Sequence, residues 1–249
     1  MEKNNKMLHI YKTAAETIKR LADYFVETVG IAIKEKGRCT VALSGGNSPK
    51  KLYELLASMD YGNQIDWDKV YFFFGDERYV PFNDPGNNGN MIKKVLFEPL
   101  MIPDANIFYI NTAVPPEESA KKYSQRILSY FKNNPVRFDL ILLGLGDNAH
   151  TVSLFPHTPV LKEKKALVSA VYIQELSSYR ITMTAALINE AHAIAFLVYG
   201  GAKANAVHDV LEGEKNFETF PAQIIDPDDG VLHWFLDNDS ARNIIRKEY

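Results

Sequence analysis

Four apolar residues in a row, Leu140, Ile141, Leu142 and Leu143, run straight into a glycine-broken polar loop, and this junction restricts the fold most. A short apolar run without polar alternation is the pattern of a strand buried on both faces, and such strands belong to parallel sheets covered by helices. The loop, residues 144–156, reads Gly-Leu-Gly-Asp-Asn-Ala-His-Thr-Val-Ser-Leu-Phe-Pro. Gly144 and Gly146 allow a tight turn at the carboxyl end of the strand, the edge of an open α/β sheet where ligands sit. His150 and Ser153 are delivered to that edge. Taken alone, a connection that happens to carry a surface histidine fits equally well.

The same grammar recurs along the chain. After a short strand around 8–11, residues 14–36 carry Ile18, Leu21, Ala22, Phe25, Val29 and Ile33 at spacings of three and four, an amphipathic helix. Residues 40–43 read as a buried strand that enters Ser44-Gly45-Gly46-Asn47-Ser48-Pro49, and helical spacing resumes over 50–59. Residues 70–74 form an aromatic strand ending at Gly75-Asp76-Glu77-Arg78. The Pro-, Gly- and Asn-rich stretch 79–90 is long for a connection and suits a loop that covers a substrate. A helical pattern follows at 91–97, a short strand at 107–110, and a helix opened by Pro115-Pro116-Glu117-Glu118 that runs to about 132. Beyond Pro159 the pattern continues through 166–172, followed by an alternating segment at 180–184, a helix at 185–191 and a strand at 193–198. Gly200-Gly201-Ala202-Lys203 then opens a helix through Leu211, and a strand at 232–236 closes the chain. Strands alternating with helices predict an α/β fold: a mostly parallel, doubly wound, Rossmann-like sheet flanked by helices, with residues 1–249 as a single domain. In such a sheet the tips after the strands at 40–43, 70–74 and 140–143 lie on one edge.

A formal charge of -3 offers no electrostatic footprint, so no nucleic acid and no membrane is expected as partner. Any anionic ligand must then be held locally. The single cysteine, Cys39, excludes an internal disulfide and a thiolate zinc cluster, and neither metal-ligand spacing nor a membrane-length apolar run is seen. The first residues lack the apolar stretch of a signal peptide, and a cytoplasmic location is the expectation.

A strand, a Ser/Gly loop and a helix in that order suit a phosphate cradle, built from Ser44, Gly45, Gly46 and Asn47. Arg180 and Lys203 are the cations best placed to complement it, although surface solvation is the commoner fate of such residues. Asp76, Glu77 and Arg78 at a buried strand tip need partners, as a site or as a salt-bridge knot. Of the 6 histidines, His9, His208 and His233 lie in periodic or apolar segments, His157 reads as loop and His192 is ambiguous. Only His150 combines a strand-tip glycine loop with nearby hydroxyls. No Gly-x-Ser-x-Gly elbow supports a serine hydrolase.

In order along the chain, Leu-Ser-Gly-Gly-Asn-Ser-Pro at 43–49, Phe-Phe-Gly-Asp-Glu-Arg-Tyr-Val-Pro at 73–81, the segment 144–156, Arg-Ile-Thr-Met-Thr at 180–184, Lys203 and Phe220-Pro221-Ala222 resemble the 6-phosphogluconolactonase family. That family is related to the glucosamine-6-phosphate deaminases. Deaminases typically carry Asp-Glu-Tyr where this chain has Asp76-Glu77-Arg78, and Asn-Glu-Pro after the histidine where it has Ser153-Leu154-Phe155-Pro156, so both motifs point to the lactonase. The resemblance implies hydrolysis of a phosphorylated sugar lactone without a metal or organic cofactor, by a monomer or small homo-oligomer. It places His150 as general base, Arg78 and loop N–H groups at the oxyanion, Asp76 and Asn148 at the catalytic centre, and Ser44 to Asn47, Arg180 and Lys203 at the phosphate. One departure stands out: both families usually have Asp-Gly-His where this chain has Asn148-Ala149-His150. Asn148 can orient a water or hydroxyl but cannot stabilise an imidazolium by charge, a role left to Asp147. Ala149 is strained if its position needs positive φ. The rival readings are a glucosamine-6-phosphate deaminase/isomerase-type enzyme and a sugar-phosphate-binding protein with lost catalysis.

Overall fold

The computed structural model describes residues 5–132 and 134–245. Strand β1 (Lys6–Tyr11) leads into helix α1 (Ala14–Lys36), whose ends follow local chemistry. The Thr13 hydroxyl accepts from the Glu16 N–H, and Gly37, at φ 75°, ends the helix by donating to Ile33 O. Its apolar stripe, with Leu21, Ala22, Phe25 and Val29 fully buried, packs on the sheet.

Strands β2 (Cys39–Leu43), β3 (Val70–Phe74), β5 (Leu140–Leu143), β8 (Ala193–Val198) and β9 (Val231–Asp237) join β1 in one sheet of order β1-β9-β8-β5-β2-β3. Every pairing in it is parallel. Helices α2 (Asn47–Leu56), α3 (Met59–Gly62), α4 (Asn88–Ile92), α5 (Pro116–Tyr130), α6 (Ala185–Ile188) and α7 (Ala204–Leu211) lie in the connections. The expected apolar runs are the buried centre: all residues of β2, β5 and β8 are buried. After β2 the chain moves to β3 at one edge, then returns to set β5 on the other side of β2. The loops of β2 and β5 therefore leave in opposite directions, and the crevice between them is the switch point where open α/β sheets bind ligands.

A second sheet of three antiparallel strands, β4 (Asp76–Arg78), β7 (Ser178–Met183) and β6 (Val168–Ile173), in the order β4-β7-β6, was not anticipated as a separate unit. Its cause is local. The chain does not turn away after β3 but continues through Gly75, whose N–H donates to Leu43 O and whose carbonyl accepts from Met183 N–H, directly into β4. This carries the charged tip off the parallel sheet and onto β7. The expected strand at 107–110 is reduced to one bridge, Ile107 with Phe72, because the segment then peels away from the edge of β3.

Candidate active site

One cavity of about 240 Å³ opens at the carboxyl ends of β2, β5 and β8, and Gly45, Gly46, Asn47, Arg78, His150 and Lys203 all line it. Asp76 lines it as well. Four separate stretches of chain thus converge on a single cleft.

The cradle is the β2–α2 turn. Gly46, at φ 106°, is the N-cap of α2; no side chain caps that end and no acidic residue lies in its first turn. Its first N–H groups are thus free of side-chain partners and suited to an anion. Gly45 is required by close approach: a Cβ there would lie 1.8 Å from Asn88 Oδ1. Ser44 lines the cavity, but its hydroxyl donates to Leu142 O at 2.8 Å and ties β2 to β5, which leaves the backbone and the helix terminus as the free donors of this turn.

The His150 ring stacks on Phe155, centroids 4.0 Å apart and planes 14° from parallel. Its other side faces the Gly146 backbone, where any Cβ would come within 2.1 Å of Nδ1. Nδ1 lies 2.5 Å from Asn148 Oδ1. An amide oxygen only accepts, so Nδ1 carries the proton and Nε2 keeps its lone pair. Burial, then the Lys203 and Arg180 charges, push the imidazole down to about 4, with Arg78 adding to the effect and Asp147 opposing it. Asp147 does not take the ring contact; it holds Lys203 Nζ at 2.6 Å.

The anticipated strain at Ala149 is present: φ is 59°, and the residue is 1% exposed. Val152, a β-branched residue, sits at φ 45° in the same loop, with Gly75 leaving room for its side chain. For Ala149→Gly, relief of about 1–2 kcal/mol of left-handed strain is offset by about 0.5–1 kcal/mol of added chain entropy and about 0.8 kcal/mol of lost methyl burial. The expected result is a melting temperature within about 4 °C of the parent, read by calorimetry.

The charged tip divides its work. Asp76, buried, accepts from the Ser153 hydroxyl at 2.6 Å, which draws Ser153 into the interior, away from any direct role. Glu77 turns from the cleft to accept from the N–H groups of Arg78, Asn88 and Gly89; burial pushes its carboxyl up to about 7 against the pull of those N–H donors. Arg78 donates to Gly86 O at 2.9 Å. It stands directly across the β4–β7 ladder from Arg180. Like charges opposite one another are unfavourable, and here the neighbouring carboxylates offset the repulsion, as an anion would. The Arg180 guanidinium carries no hydrogen bond or ion pair among the described residues and does not line the cavity, so its reach to the site is electrostatic.

Two lining residues went unnoticed in the sequence. Asn88 lays its carboxamide over Gly45 and donates to Asp76 O at 3.1 Å. Tyr199 follows β8, with Lys51 Nζ 5.7 Å above its ring. Neither has a sequence signal, since both acquire their position from contacts between distant segments.

Residues 12–234 match the family described as glucosamine-6-phosphate isomerases/6-phosphogluconolactonase. The chain belongs to that family. A relative from Synechocystis sp., 6-phosphogluconolactonase, is 40% identical over 217 residues, which is 86% of this chain and 88% of that protein. The solved 6-phosphogluconolactonase from Trypanosoma brucei superposes with a TM-score of 0.85 at 27% identity, covering 96% of this chain and 98% of that one. A monomeric glucosamine-6-phosphate deaminase shares the fold, with a TM-score of 0.79 at 20% identity, 95% of this chain and 99% of that one. Architecture is therefore common to both chemistries, and the side chains of the cleft must choose between them.

Proposed function

We propose that the chain hydrolyses 6-phosphoglucono-1,5-lactone to 6-phosphogluconate in the oxidative pentose phosphate route, with His150 as general base. Names of the relatives support the reaction; the geometry of the ring supports the mechanism. The observation that carries it is the 2.5 Å contact from His150 Nδ1 to Asn148 Oδ1, which leaves Nε2 as the basic atom of a ring lining a cationic cleft. Nε2 takes a proton from water as the water oxygen bonds to the lactone carbonyl carbon. Arg78, with cleft N–H groups, stabilises the oxyanion of the tetrahedral intermediate. Collapse breaks the bond to the ring oxygen, and the imidazolium returns its proton there. The α2 N-terminus, Lys203 and the Arg180 charge hold the phosphate and so fix the carbonyl over the base.

The low basicity of His150 has a direct consequence. At neutral pH the ring is unprotonated and ready to accept, but burial and then the Lys203, Arg180 and Arg78 charges make it a weak base, against the opposing pull of Asp147. A bound phosphate dianion beside Lys203 and Arg180 raises the imidazole toward its ordinary 6.5. The acid limb of the kcat profile is therefore expected at higher pH than that of kcat/KM. Asn148→Asp adds a negative charge at Nδ1, and is expected to move the kcat/KM limb upward by about 1–3 pH units. An unmoved limb would remove His150 from the titrating role.

The test of the reaction itself is lactone hydrolysis measured above the spontaneous background, alongside ammonia release from glucosamine-6-phosphate. Lactone turnover without ammonia is the expected pattern. Ammonia release would favour the deaminase, and tight sugar-phosphate binding with no turnover of either would indicate a binding protein.

A further inference from the structure

A second, smaller cavity of about 100 Å³ lies between the starts of β1 and β9, the end of α7 and the segment 213–226. Lys6 pairs with Leu232 and Leu8 with Trp234, so by strand alternation Lys6, Leu232 and Trp234 project from the same side of the sheet into this space. Trp234 is 1% exposed and stacks on Phe196 at 4.0 Å. Its Nε1–H has no acceptor among the described residues, whereas the indole of Trp67 donates to Gly62 O at 2.7 Å. A buried donor left unpaired is costly, and a site that leaves one is built for an acceptor that comes from outside.

The charges around the cavity say which acceptor. Lys6 and Lys215 line it, and Asp226 is the one carboxylate there among the described residues. Neither lysine forms a hydrogen bond or salt bridge with a described residue through its ammonium group. Burial is the main influence lowering the Lys6 ammonium; Asp226 opposes that shift, and Lys215 adds to it more weakly. Water alone would satisfy the indole, since the space has room for it. It would leave the lining with one more ammonium than carboxylate among the described residues, which an anion would balance.

The cavity also touches the active site by a short path. Ala222 lines it, and the Ala222 N–H donates to Ala149 O at 2.9 Å. Ala149 is the left-handed residue immediately before His150. Strained backbone of this kind persists where its surroundings over-determine it, and the 213–226 segment is part of those surroundings.

We propose that this cavity binds a small oxyanion, carboxylate or phosphate, through Trp234 Nε1–H and the Lys6 and Lys215 ammonium groups, and that occupancy stiffens the catalytic loop through the Ala222–Ala149 hydrogen bond. The binding half stands whatever reaction the main cleft performs; only its meaning for turnover rests on the lactonase reading.

The experiment uses the full chain, labelled with ¹⁵N, titrated with acetate or with inorganic phosphate at constant ionic strength and neutral pH. The chain has 2 tryptophans, so Trp67→Phe assigns the Trp234 indole signal. A saturable downfield displacement of that N–H signal is expected, and the anion that produces it identifies the ligand class. In Lys6→Met/Lys215→Met, which keeps the apolar stems, half-saturation should require about tenfold more anion, the loss expected for a charge-assisted hydrogen bond. Amide exchange at Ala222 should slow over the same concentration range in the parent and not in the lysine variant. A non-saturating drift, or a displacement undiminished in the variant, overturns the site. Saturable binding with unchanged exchange at Ala222 overturns the link to the loop. Neither reading depends on turnover, so failure here and failure of the lactonase assignment are separately visible.

Discussion

His150→Ala is expected to lower kcat/KM for the lactone by about 10³-fold, the centre of the range for a positioned general base. The loss should fall on kcat, because the groups assigned to the phosphate, the α2 terminus and Lys203, lie on other segments of the cleft. The fold should tolerate the change: the ring is pinned by Phe155, Gly146 and Asn148 but supports none of the sheet pairings. The spontaneous reaction sets the floor of the assay, so the comparison is made on background-subtracted rates at several enzyme concentrations. A variant with parental kcat would sink the general-base assignment, whatever its effect on KM.

Arg78→Gln is expected to cost about 10²- to 10³-fold in kcat, the magnitude of losing one donor to a developing oxyanion. Arg180→Gln makes the useful contrast. Arg180 faces Arg78 across the ladder but does not line the cavity, so its removal should raise KM while sparing most of kcat. Stability does not separate the two, because either substitution removes the repulsion between the paired arginines together with the attraction of the neighbouring carboxylates that offsets it. Equal loss of kcat in both variants would mean that the two arginines act as one anion clamp, and the oxyanion role would pass elsewhere.

Much of this site was readable from local pattern, and the reason is that each piece is a strand tip. The apolar runs ending at Leu43, Phe74 and Leu143 are long enough to define strands, and parallel pairing then forces their following residues to one edge. That is why Gly45, Gly46, Asn47, Asp76, Arg78 and His150 meet in the cleft as anticipated. The positive φ of Ala149 was legible only through the family resemblance, as strain conditional on this position, where glycine is usual, needing a left-handed backbone. The details that local pattern does not carry are of another kind. Ser44 and Ser153 spend their hydroxyls on Leu142 O and Asp76, partners about a hundred and about eighty residues away in sequence, and no local signal reports such a bond. Glu77 was legible as a buried charge in need of partners, yet only the path of the chain at 88–89 reveals that those partners are backbone N–H groups.

By itself the order of short apolar runs, glycine-bearing tips and amphipathic helices determined the parallel α/β architecture and the edge on which chemistry would collect, since strand burial and helix periodicity are properties of neighbouring residues. Tertiary structure alone decided which nitrogen of His150 contacts Asn148, that burial and then the surrounding cations depress the ring, and that Arg180 stands opposite Arg78 in a second sheet. Those quantities depend on distances between segments brought together by packing, and Coulomb and desolvation energies have no counterpart in sequence spacing.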